Sequence, residues 1–173
     1  AHAEHARVRE NELTSMSARV TSLDEFVTAR EGYSDAARLV LAQTKDALDH
    51  LGAVADHLDM DRDHERAVEA GLGEVLQYVV VRSRGDARAG MDLARAHGTG
   101  RCGFLIMDAL DVGALGDAVA PAPSLRPFSE LVRVAGPAAD AIGCLLARLW
   151  LAPSFGEAAE AARVTTDPIA TPD

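Results

Sequence analysis

Lysine is nearly missing from this chain, with Lys45 alone against sixteen arginines, and acidic residues outnumber the two together, leaving a formal charge of −10. Sequence-independent binding to nucleic acid draws its affinity from Lys and Arg neutralising phosphates, so a domain this acidic starts at a disadvantage. Weak or no DNA binding by the chain on its own is therefore expected. Cysteine is as scarce: Cys102 and Cys144 both sit in apolar stretches, which reads as two buried reduced thiols rather than a disulfide or a metal pair. No apolar run approaches the roughly 18–20 residues that span a bilayer, so no membrane partner is expected. The start, Ala1-His2-Ala3-Glu4-His5, lacks the basic and then apolar segments of a signal peptide. Together these absences point to the cytoplasm.

Signatures of catalysis are missing too. The glycine-rich Gly98-Thr99-Gly100-Arg101-Cys102-Gly103 follows a predicted helix and precedes a predicted strand, whereas a phosphate-cradling loop needs the opposite order. No Gly-x-Ser-x-Gly elbow and no His-Glu-x-x-His helix occurs. Asp49-His50, Asp56-His57 and Asp63-His64 recur every seven residues, but metal ligands must converge on one point, and this repeat alternates between predicted elements. They read as solvated acid–histidine pairs, so no metal, no cofactor and no catalytic residue is expected. The glycines before Phe104 have two open readings. They shape a tight turn, or they let a strand approach another backbone across a lobe or subunit boundary.

What is present is an ordinary globular composition, 48% hydrophobic and 25% charged, in a chain long enough to bury a core. Leu13, Met16, Val20, Leu23 and Val27 recur at spacings of 3 and 4 among charged neighbours, which predicts a coiled-coil segment over residues 1–30. An amphipathic core helix is the alternative. A second helix is predicted from Tyr33 to Thr44. Beyond it, short apolar runs alternate with amphipathic stretches, the pattern of an α/β or α+β domain.

The order strand, helix, strand, helix, strand occurs twice. Residues 54–60, 62–72, 78–81 and 86–97 are answered by 128–134, 137–147, 149–152 and 155–162. At an offset of 74 residues Met60 meets Val134, Ala67 meets Ala141, Val68 meets Ile142 and Leu72 meets Leu146. Residues 108–127 carry Gly113, Gly116, Pro121, Pro123 and Pro127 and read as a linker. Two pseudo-repeated lobes are expected, over 31–107 and 128–173.

These residues, in this order, resemble the hinge domain of SMC (structural maintenance of chromosomes) proteins of the bacterial condensin type. The stretch from Leu23 to Ala37 resembles a coiled-coil exit and first hinge helix. Asp63 to Gln77, leading into Val79-Val80-Val81, is similar to the most recognisable hinge helix and strand. Gly98 to Leu105 resembles the Gly-Arg turn and apolar strand that follow, and Arg163 to Asp173 the closing strand. The resemblance implies an internal piece of a longer protein, a homodimer closed by strand pairing between subunits, and no catalysis in this domain, the ATPase heads lying at the far ends of the arms. It implies an interface of Gly98, Gly100, Arg101, Gly103, Phe104 and Ile106 against Val164, Thr166 and Ile169 of the partner. It also implies DNA contacts near the arm junction, for which Arg7, Arg9, Arg19 and Arg30 are the candidates, and a nucleoid-associated parent. A small-molecule-binding regulatory α/β domain, with a cleft between its lobes, is the competing expectation.

Overall fold

A computed structural model describes residues 32–109 and 120–172. The heptad seam Leu13, Met16, Val20, Leu23 and Val27, and Arg7, Arg9, Arg19 and Arg30, lie outside those residues. Contacts divide the chain between Tyr33 and Ser34, and the elements below belong to the unit that begins at Ser34.

Helix α1 spans Asp35–Leu41 and is started by Ser34, whose hydroxyl accepts the Ala37 N–H at 3.2 Å. It buries Ala36, Ala37, Val40 and Leu41. This is shorter than the predicted 33–44. Strand β1 (His50–Ala53) follows, then a 3-10 turn (Val54–His57) and strand β2 (Leu58–Met60). The expectation of one strand over 54–60 is corrected here. Gly52 has φ +103, and the Asp56 carboxylate accepts the Ala53 N–H at 2.9 Å, which bends the chain before it can extend.

Helix α2 (Arg62–Leu72) places Asp63 and Glu65 in its first turn, where they oppose the helix dipole, and ends at Gly73 with φ +50. Strand β3 (Val79–Val81) is fully buried, as a strand covered on both faces should be. Helix α3 (Arg84–Ala96) starts on a capping box in which Ser83 and Asp86 each accept the other's backbone N–H. Strand β4 (Phe104–Ile106) completes the first half.

The second half repeats the plan. Strand β5 (Arg126–Pro127), a 3-10 turn (Phe128–Glu130), β6 (Val132–Val134), helix α4 (Ala139–Leu146), β7 (Trp150–Leu151), helix α5 (Phe155–Ala161) and β8 (Ile169–Ala170) follow in order. Here too the expected strand 128–134 divides into a turn and a shorter strand. The last residues of the stretch read as a linker form β5, and Leu125 is buried beside Trp150, Ala152 and Ala161. The sheets have orders β1-β3-β4 and β5-β7-β8, each with one antiparallel and one parallel contact.

The duplication is legible in the pairing itself. β2 and β6 form a two-stranded antiparallel sheet with Leu58 opposite Val134, Asp59 opposite Arg133 and Met60 opposite Val132. Residues equivalent at the 74-residue offset are thus exchanged about the Asp59–Arg133 pair, which marks an internal pseudo-dyad. One buried cluster runs through both halves, joining Val68, Leu72 and Val80 to Phe128, Ile142 and Leu146. The halves meet through packed apolar surface, most directly where the Phe128 ring covers Gly71 of α2. A Cβ at Gly71 would stand 2.5 Å from that ring.

Candidate strand-edge interface

Among the described residues, each three-stranded sheet ends on a parallel strand with no further strand paired to it: β4 in the first half, β8 in the second. Successive residues of a strand send their backbone groups to opposite sides, so one known bond fixes the rest. The Val79 N–H donates to the Gly103 carbonyl at 2.9 Å, so Gly103 and Leu105 face β3 while Phe104 and Ile106 direct N–H and C=O outward. In the other sheet Trp150 N–H donates to Pro168 O at 3.1 Å and Ala152 N–H to Ala170 O at 2.9 Å. Ile169 therefore faces outward. Phe104, Ile106 and Ile169, three of the residues the resemblance implied, lie on these two edges.

The rest of the predicted set surrounds them. Gly98 (φ +63) and Gly100 (φ +91) turn the chain from α3 towards β4, and among the described residues, chain neighbours apart, no atom lies within 4 Å of where a Cβ would stand on either. That left-handed backbone is the turn role left open above. Gly103 serves a different contact, since the Tyr78 ring of the same chain occupies the place of its missing side chain. Gly90 of α3 lets the Phe104 ring lie against the helix, with the ring 2.6 Å from a would-be Cβ. Val164 and Thr166 occupy the loop before β8, Val164 largely exposed. That loop is anchored by Asp167, whose carboxylate accepts the Trp150 indole N–H at 3.2 Å.

Arg101 lies between two open clefts. One, of about 320 Å³, is lined by Ser34, Glu74, Gln77, Tyr78 and Arg101 among others. The second, of about 610 Å³, runs along Met91, Ala94, Gly98 and Gly100, with Arg95 and Arg101 at its sides. Among the described residues, those that line either cleft belong to the first half. Cys102 borders both clefts, and burial pushes its thiol up to about 11, so it stays protonated at neutral pH.

Sequence reasoning missed Gln77, whose side-chain oxygen accepts the Ser34 N–H at 2.7 Å and ties the start of α1 to the residues before β3. It missed Phe155 and Met91, apolar side chains left exposed. A signal existed for the first of these. Ser83-Arg84-Gly85-Asp86 is answered by Ser154-Phe155-Gly156-Glu157, a repeated helix start in which an exposed Phe replaces an Arg.

The seven-residue histidine repeat does not converge. The ring of His50 contacts Gln43 O (3.2 Å) and the Gly52 N–H (3.2 Å), and that of His57 contacts Leu51 O (3.0 Å) and Ala135 O (3.3 Å). His64 lies on α2, its buried Nδ1 without a hydrogen-bond partner. Among the described residues no group of three His, Cys, Asp or Glu side chains is placed to hold a metal ion. None of their helices is long and apolar enough to cross a membrane.

A duplicated α/β domain with a bare parallel edge in each half is thus defined. Residues 48–162 match the family model described as the SMC proteins flexible hinge domain, and the chain belongs to that family. It is 34% identical over 122 residues, 69% of its length, to the chromosome partition protein Smc of Myxococcus xanthus, and 31% identical over 130 residues to that of Desulfitobacterium hafniense. It spans about a tenth of those relatives, 10% and 11% of their lengths. Among solved structures it is similar to an asymmetric dimer of the Geobacillus stearothermophilus SMC hinge domain. The TM-score is 0.74 at 26% identity, over 92% of this chain and 66% of that one. The Pyrococcus furiosus SMC hinge domain shares the fold, with TM-score 0.63 at 17% identity over 84% of this chain and 76% of that one. These findings give no support to the small-molecule-binding reading.

Proposed function

We propose that this domain is the non-catalytic homodimerisation hinge of a chromosome-organising SMC protein, joining two coiled-coil arms in chromosome condensation and segregation. The observation that carries the reading is the pair of bare edges. An exposed strand edge is a template for another chain, and two such edges related by an internal pseudo-dyad suit closure by a second copy, each β4 taking the other's β8. Gly98, Gly100 and Arg101 flank one edge; Val164 and Thr166 flank the other.

ATP hydrolysis belongs to separate heads of the parent protein, and this domain needs no cofactor of its own. Its net charge of −10 leaves DNA contact to the arginines of the 1–30 segment, Arg7, Arg9, Arg19 and Arg30, and makes that contact weak. The parent acts at the nucleoid in the cytoplasm. Light scattering over a concentration series, with and without a DNA duplex at physiological salt, tests both statements. A mass of two chains that does not bind the duplex at sub-micromolar concentration is expected. A monomer throughout, or tight DNA binding, contradicts them.

A further inference from the structure

Phe155, Val164 and Met91 are the large apolar side chains that stay exposed among the described residues, at 78%, 70% and 46%. Met91 lines the groove of about 610 Å³ on α3, with Ala94, Gly98 and Gly100. Phe155 opens α5 and Val164 follows its last turn, on the other half of the chain.

Strand direction decides which of the two reaches the groove. β4 and β8 are equivalent strands of a duplicated fold, so a β4–β8 contact between two copies is related by a local pseudo-dyad. A dyad is compatible with an antiparallel ladder and not with the slanted, one-way bonds of a parallel one. The chain already shows this at β2 and β6, equivalent strands that pair antiparallel about Asp59 and Arg133. Antiparallel pairing sets the C-terminal end of β8 of one copy beside the N-terminal end of β4 of the other.

Phe155 stands at that C-terminal end, because the chain leaves β7 at Leu151, enters α5 at Phe155, and β7 runs parallel to β8. The groove stands at the N-terminal end of β4, where α3 ends and Gly98 and Gly100 turn the chain back. Val164, at the far end of α5, is carried away from it. The groove, of about 610 Å³, has room for a phenyl ring, and among the described residues, chain neighbours apart, no atom lies within 4 Å of the missing Cβ of Gly98 or Gly100. Arg95 and Arg101 flank it, and a guanidinium over an aromatic face is attractive.

We infer that Phe155 of one copy seats in the groove formed by Met91, Ala94, Gly98 and Gly100 of the second copy, twice in each dimer. The inference rests on the dimer reading above and adds the side chain that anchors it. Its test is a cysteine pair in the whole chain, in a background of Cys102→Ser and Cys144→Ala. Phe155→Cys with Met91→Cys is compared with Val164→Cys with Met91→Cys under mild oxidation, and products are separated on non-reducing gels. A covalent dimer from the first pair and not the second is the expected result. A dimer by light scattering in which only the Val164 pair links overturns the inference and leaves the dimer standing. A monomer by light scattering overturns both. Phe155→Ser, at an exposed position that folding does not need, is expected to weaken dimerisation about tenfold or more. An unchanged Kd contradicts the inference.

Discussion

Replacing Phe128 by Ala is expected to cost about 3–5 kcal/mol of stability, the range for a fully buried aromatic ring. Phe128 has no exposed surface and sits in the second half, yet its ring fills the place of a side chain at Gly71 in the first. The cavity would open in a cluster that both halves share. A domain of ordinary stability, about 5–15 kcal/mol, loses a large part of it. Because the cluster is common property, both halves should melt together. Urea unfolding checks this with two probes: far-ultraviolet circular dichroism for the whole, and fluorescence of Trp150, the single tryptophan, for the second half. Coincident transitions, shifted together in Phe128→Ala, are expected. A Trp150 transition that moves while the ellipticity stays behind would show independent lobes.

Ile106→Pro is expected to leave a folded monomer. The Ile106 N–H faces away from β3, so proline removes no bond of the sheet, and Leu105 before it is already extended as proline requires. What it removes is a donor on the bare edge, and its ring blocks an approaching strand. Two-fold symmetry repeats the lesion twice per dimer. At about 1–1.5 kcal/mol for each lost hydrogen bond, dimerisation should weaken roughly a hundredfold, while the melting temperature of the monomer stays close to that of the parent chain. Leu105→Pro is the control, since its N–H faces β3 and its loss should damage the fold. Sedimentation equilibrium separates the two. An Ile106→Pro chain that dimerises as tightly as its parent would show that β4 is not the edge used.

Much of this architecture can be read from the sequence because its elements are periodic and repeated. Helix α2 matches its predicted span of 62–72, and the alignment of Ala67, Val68 and Leu72 with Ala141, Ile142 and Leu146 matches six buried core positions. Misread segments have local causes that periodicity does not carry. His50–Ala53 forms a strand despite a glycine and a histidine, because Val79 and Val81 supply its partners. Val54–His57 looks extended by composition, but the Asp56 carboxylate captures a backbone N–H and tightens it into a turn. Arg126–Pro127 is too short and too close to other prolines to register as a strand. For the candidate interface, the resemblance to SMC hinges led to Phe104, Ile106 and Ile169. Which way their backbone groups face follows only from long-range bonds such as Val79 to Gly103. Phe155 was passed over because an aromatic in place of Arg84 in the repeated helix start acquires a meaning only once the fold sets it exposed, at the end of the sheet where β8 finishes.

The most direct test of closure through these edges is amide hydrogen exchange at Ile106 and Ile169, followed by NMR as protein concentration is raised. Both N–H groups face outward in a single copy, so protection at these two sites should rise with concentration, in step with the dimer fraction, while Val80, already inside its sheet, stays protected throughout. Exchange at Ile106 and Ile169 that remains fast in a sample shown to be dimeric would place the interface elsewhere and contradict the account.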